Sequence, residues 1–124
     1  MVGYVTLGTN DLERATAFYD ALLEVLGASQ MSKMDRMVMY GDASGSGMLA
    51  ICTPFDTQAA NVGNGVMVAL KAPSPEVVAQ VHAKAIELGG SNEGDPGPRG
   101  DGGFHGCYFR DLDGNKLAAF SFGG

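Results

Sequence analysis

Few side chains in this sequence can do chemistry near neutral pH. There are two histidines, His82 and His105, and two cysteines, Cys52 and Cys107. His105 opens a strand-like run after a glycine-rich loop. Strand alternation puts it on one side with Cys107 and Phe109, where an imidazole could act as a general base or anchor a ligand. The alternative is a solvent-exposed histidine at a strand end. His82 lies at helical spacing from Val78 and Ala85 and reads as a packing or surface residue. Cys52 with His105 would make a nucleophile and its base. Alternation, however, turns Cys52 toward a helix and points Ile51 the other way, so this pair is set aside. Cys107 reads as a thiol lining a pocket, reactive only if its pKa is lowered. Arg99 sits in the loop Gly94–Gly103. It could grip a carboxylate or phosphate with two parallel N–H bonds, or it is a solvated loop arginine. The glycines of that loop match neither a P-loop nor a dinucleotide fingerprint.

The elements that position these residues repeat. Val2–Gly8 alternates like a strand. Asn10 with Glu13 three residues later can form a capping box. Leu12, Ala15, Phe18, Tyr19, Leu22 and Leu26 then follow at helical spacing, predicting an amphipathic helix over about 11–26 closed by Gly27. In the second half, Gly65–Leu70 is another apolar strand. Ser74-Pro75 caps and starts a helix whose apolar face is Val78, Val81, Ala85 and Leu88, and Gly89-Gly90 ends it. Tyr4 and Met67, Asp11 and Ser74, and Gly27 and Gly90 are each 63 positions apart. A strand–helix unit at constant offset indicates duplication. Three strands fit after each helix: Gln30–Met34, Met37–Tyr40 and Met48–Cys52 in the first half, then 91–93, His105–Arg110 and Lys116–Phe122 in the second. Asp111-Leu112-Asp113-Gly114 is the last hairpin turn, and Pro54–Asn64 links the halves. The expected fold is α+β: two βαβββ repeats, about 1–53 and 65–124 of a single domain, forming a curved, half-open mixed-sheet barrel with one helix on the outer face of each half.

Composition narrows the function. The 124 residues carry a net charge of −6, and the basic residues are scattered, which excludes a nucleic-acid partner. Acidity either favours a cationic ligand by long-range attraction or serves solubility. No apolar run approaches the roughly 18 residues needed to span a bilayer, and the N-terminus lacks signal-peptide features. The expected location is the cytoplasm, where the two cysteines stay buried thiols rather than a disulfide.

The segments "NDLERATAFYDALLEVLG", "GVMVALKAPSPEVVAQVHAKAIELGG" and "YFRDLDGNKLAAF" resemble the glyoxalase I, bleomycin-resistance protein and extradiol dioxygenase group, the vicinal oxygen chelate superfamily. The resemblance runs from Val2 to Phe122. Its most specific parts, "DLERATAFY" and "RDLDGNKL", are structural motifs that identify the fold better than the reaction. It implies a divalent metal held in the hollow by strand-borne His and Glu. Carried over one at a time, those positions fall on Tyr4, on or near Ile51, on Met67 and on Ala118. None is a useful metal ligand, and so no metal and no other cofactor is expected.

The expected function is therefore metal-independent binding of a small apolar or aromatic molecule in the concave sheet pocket. Its expected walls are Tyr4, Ile51, Met67, Phe104, His105, Ala118 and Phe120, with Arg99 overhanging. The alternatives are a glyoxalase- or dioxygenase-type enzyme relying on His105 and Tyr4 for acid–base work, and a structural or regulatory subunit with a vestigial pocket. The methionines at 31, 34, 37, 39 and 48 read either as core filling or as an adaptable surface. Open sheet edges and Met-rich faces point to a homodimer.

Overall fold

A computed structural model describes residues 1–123. The first half runs β1 (Tyr4–Gly8), α1 (Leu12–Glu24), β2 (Ser29–Lys33), β3 (Met37–Gly41) and β4 (Met48–Cys52). The second runs β5 (Val68–Lys71), α2 (Pro75–Glu87), β6 (Ser91–Pro98), β7 (Phe104–Arg110) and β8 (Lys116–Phe122). This is the expected α+β chain of two βαβββ halves.

Each half forms its own four-stranded mixed sheet, ordered β1-β4-β3-β2 and β5-β8-β7-β6. In both, the first strand pairs in parallel with the last, and the remaining pairs are antiparallel. Among the described residues no strand of one sheet reaches a strand of the other, and no barrel closes. The halves meet instead through α1 against α2.

The caps explain where the helices begin. Asp11, not Asn10, is the N-cap of α1, its side chain accepting from the Arg14 N–H. Ser74 does the same for α2 toward Val77, with Pro75 in the first turn. The two caps are the residues related by the repeat offset. Asn10 is drawn away because its amide exchanges hydrogen bonds with Ala60 of the linker. β6 runs five residues past the predicted strand end, to Pro98, along β7. Register shifts at Asn92–Gly94 and Gly94–Gly97 let a glycine- and proline-rich segment follow the ladder.

One face of each sheet is sealed by its helix. The buried cluster draws Leu7, Val38, Tyr40, Leu49 and Ile51 from the first sheet, and Cys107, Phe109, Leu117 and Ala119 from the second. Phe18, Tyr19, Leu22, Val78, Val81 and Ala85 come from the helices. The period-two alternation of a strand sends the intervening residues to the opposite face, which no helix covers.

Candidate functional site on the open sheet faces

Which residues occupy the open faces follows from register, because residues paired across a ladder share a face. In the first sheet Tyr4 pairs with Met48, Thr6 and Met39 with Ala50, and Met37 with Cys52. This face is therefore methionine-rich. Gly41 leaves room for the Met48 and Met31 side chains, since a Cβ there would lie 3.1 Å from Met48 Cγ and 3.3 Å from Met31 Cγ. Tyr4, Met31 and Met48 all remain exposed.

The second sheet presents a different chemistry. Ala118 pairs with Ala69 and Tyr108, Phe120 with Lys71 and Gly106, Phe122 with Phe104, and Lys116 with Arg110. Phe104 and Phe120 stack with ring centroids 5.7 Å apart, and Phe122 meets both edge-on at 5.2 and 6.1 Å. Gly106 makes the stack possible, because a Cβ there would fall 2.8 Å from the Phe104 ring. Next to this platform, Tyr108 lies under two cations, Arg99 and Lys116, each 5.5 Å from its ring centroid. A cavity of about 530 Å³ adjoins them, lined by linker residues Val62 to Met67 together with Arg110 and Lys116.

Tyr4, Phe104, Ala118 and Phe120 thus stand on the open faces, as expected. Met67 precedes β5, is partly exposed and lines the cavity. Arg99 lies just past β6 over Tyr108, its guanidinium donating to the carbonyls of Asp95, Gly97 and Pro98.

Two residues are not where the sequence reading put them. Ile51 is buried in the helix-backed core. It pairs with Leu7 and Val38, both core residues, so the face it shares with them is the helix face. Cys52 consequently points to the open side. His105 is the second. Its partner is Ser121, and it shares a face with Cys107 and Phe109, whose side chains are fully buried against α2. His105 is thus on the helix side of β7, and the acid–base pairing of His105 with Tyr4 has no common face to act on. The Cys107 thiol reaches toward the Val78 carbonyl at 3.8 Å, and burial pushes its pKa up, the wrong direction for a nucleophile. Both cysteines are free. His82 packs against Phe109 and bonds to Asn92, a structural arrangement.

The sequence reading missed Tyr108, Arg110 and Lys116. The signal was present: alternation that places Ala118 and Phe120 on the open face places Lys116 there too, and the tight hairpin carries Arg110 and Tyr108 across to meet it.

The metal positions implied by the resemblance do not fit a metal. Tyr4, Met67 and Ala118 offer a phenol, a thioether and a methyl group, and Ile51 faces away. Among the described residues no three His, Cys, Asp or Glu side chains converge.

Comparison with known proteins agrees with this architecture. Residues 1–119 match the model of the Glyoxalase/Bleomycin resistance protein/Dioxygenase superfamily. No curated protein sequence matches the chain. Among solved structures, a glyoxalase/bleomycin resistance protein from Albidiferax ferrireducens is 38% identical, covers 98% of both chains and superposes with a TM-score of 0.90. An antibiotic binding protein from a Streptomyces species is 19% identical over 98% of this chain and 95% of its own, with a TM-score of 0.68. A fosfomycin resistance protein from Listeria monocytogenes is 20% identical over 98% and 92%, with a TM-score of 0.72. The last two show the fold alone. With the duplicated βαβββ halves and the family match in agreement, the chain belongs to the glyoxalase/bleomycin resistance protein/dioxygenase superfamily.

Proposed function

We propose that this protein binds a small apolar or aromatic molecule on its open sheet faces without a metal, and that two copies together enclose the site. The observation that carries this reading is the substitution of apolar surface for ligands. Where the superfamily resemblance implies metal donors, the open faces carry Tyr4, Met67 and Ala118 among exposed methionines and a three-phenylalanine platform. Burying a divalent ion there would leave its charge uncompensated. An apolar ligand instead gains roughly 25 cal/mol for each Å² covered, so a few hundred Å² supply about the 8 kcal/mol of micromolar affinity.

The homodimer follows from the same surfaces. A single chain leaves one face of each sheet bare, and a two-fold axis can lay the methionine face of one copy opposite the aromatic face of its partner, twice over. The working location is the cytoplasm, where the thiols stay reduced. No helix among the described residues is long and apolar enough to cross a membrane. The Streptomyces relative is an antibiotic binding protein, a precedent within this fold for binding a small molecule.

Titration with neutral phenylnaphthylamine, a fluorescent apolar probe, tests the reading. Wild type should bind it in the micromolar range. Met67→Glu should weaken it strongly while circular dichroism stays unchanged, because Met67 lies outside the strands and 43% exposed. Wild type that fails to bind, or a folded variant that binds equally well, overturns the reading.

A further inference from the structure

We propose that the open face of the second sheet contains an anion subsite centred on Tyr108, so that the molecule bound is an aromatic or apolar anion, with its negative group on Lys116 and Arg99 and its body on the Phe104–Phe120 platform. The inference rests on the reading that the open faces bind a small apolar molecule, and it names the class of that molecule.

Three observations carry it. First, the chain is acidic overall, at −6 with eight Lys and Arg, yet Arg99 and Lys116 lie over one ring, with Arg110 opposite Lys116 on the next strand. Screening confines an exposed charge to about 8 Å at physiological salt, so this local cluster outweighs the global charge for a ligand in the hollow. Second, the cluster is only partly neutralised, by a Glu93 carboxylate that pairs with Arg110 and also feels the Lys116 charge. Lys116 takes part in none of the ion pairs among the described residues, which are Arg14–Asp113, Lys84–Glu87 and Arg110–Glu93. Among the described residues Arg99 donates only to backbone carbonyls, which fix its plane and leave its charge uncancelled.

Third, the cations have a geometric relation to the apolar surface. Tyr108 pairs with Ala118, and Phe120 is two residues further along β8 on the same face. At about 3.3 Å per strand residue, the aromatic platform begins roughly 7 Å from the cations. A ring carrying a carboxylate, sulfonate or phosphate-type group spans such a step. The cavity lined by Met67, Arg110 and Lys116 leaves space for the charged end. A cationic ligand, which the overall acidity alone would suggest, meets like charge here.

The test compares anilinonaphthalene sulfonate with phenylnaphthylamine, which differ by the sulfonate alone. Wild type should bind the sulfonate roughly tenfold more tightly, the scale of one charge-assisted hydrogen bond, and added salt should erode the advantage. Lys116→Gln should remove the advantage by weakening the sulfonate far more than the neutral probe, and Lys116→Arg should retain it. Arg99→Gln provides a second probe of the cluster should Lys116→Gln fail to fold. Equal affinity of wild type for both probes, or a variant that weakens both alike, overturns the anion subsite. If the neutral probe fails to bind but the sulfonate binds in a Lys116-dependent way, the apolar reading falls and the anion subsite stands.

Discussion

The Tyr19 hydroxyl donates a 2.5 Å hydrogen bond to Asp111 Oδ2, joining α1 of the first half to the β7–β8 hairpin of the second, both residues buried. Asp111 is the hub of this junction. Its carboxylate also accepts from the Asn115 side-chain amide and from the backbone N–H groups of Asp113 and Asn115. Around it, Asn115 donates to the Gly8 carbonyl, and Asp113 accepts from the Asn10 N–H and from Arg14. Because the sheets do not touch each other, this clasp and the α1–α2 contact hold the relative position of the two open faces.

Removing the Tyr19 hydroxyl should therefore loosen the junction. Tyr19→Phe is expected to cost about 1–3 kcal/mol, since it strips one donor from a buried carboxylate that keeps others. Asp111→Ala should cost more, because it leaves several donors without an acceptor. Denaturant unfolding of both variants against wild type measures this. A Tyr19→Phe protein as stable as wild type would show that the clasp is incidental.

Stability should fall at alkaline pH. Burial, then the Asp111 carboxylate, pushes the Tyr19 pKa well up. Burial and the hydrogen bond to Asp20 push Tyr40 up as well. Both phenols must lose a proton more readily when unfolded, at the ordinary tyrosine value of about 10. Their contribution is complete below that value and is lost as pH rises above it. Melting temperatures measured from pH 8 to about 12 should decline in wild type, and less steeply in Tyr19→Phe; parallel curves would contradict this.

The bare sheet faces lead to a further expectation, a dimer of about twice 12.8 kDa by light scattering at micromolar concentration. Met48→Lys, on the methionine-rich face, should shift the mass toward the monomer. A clean 12.8 kDa mass for wild type would refute the paired enclosure of the site.

Chelation should not matter. A bound metal stabilises the native state with the logarithm of its saturation, so stripping it lowers the melting temperature. With a phenol, a thioether and a methyl group at the family's positions, curves with and without a strong chelator should overlay. A drop restored by added zinc, nickel, manganese or iron would place a metal site elsewhere.

Local chemistry made much of this protein legible from the chain alone. Ser74-Pro75, the hairpin Asp111–Gly114 and the constant spacing of Asp11 and Ser74 are short-range signals, carried by capping and turn preferences that operate within a few residues. They located the helices, the turns and the duplication. The placing of Tyr4, Phe104, Ala118 and Phe120 on one kind of face also followed from alternation within single strands. Which face of β4 or β7 meets a helix was a different matter. Alternation yields two faces and does not label them. The label came from partners distant in sequence: Leu7 beside Ile51 turned Ile51 inward and Cys52 outward, and Cys107 under Val78 carried His105 to the helix side. The cations of the Tyr108 site were likewise scattered in the sequence, Arg99 and Lys116 over the ring and Arg110 beside Lys116. The regular β7–β8 hairpin sets Arg110 opposite Lys116, but Arg99 reaches Tyr108 only through the β6–β7 ladder, whose register depends on bulges no local pattern specifies.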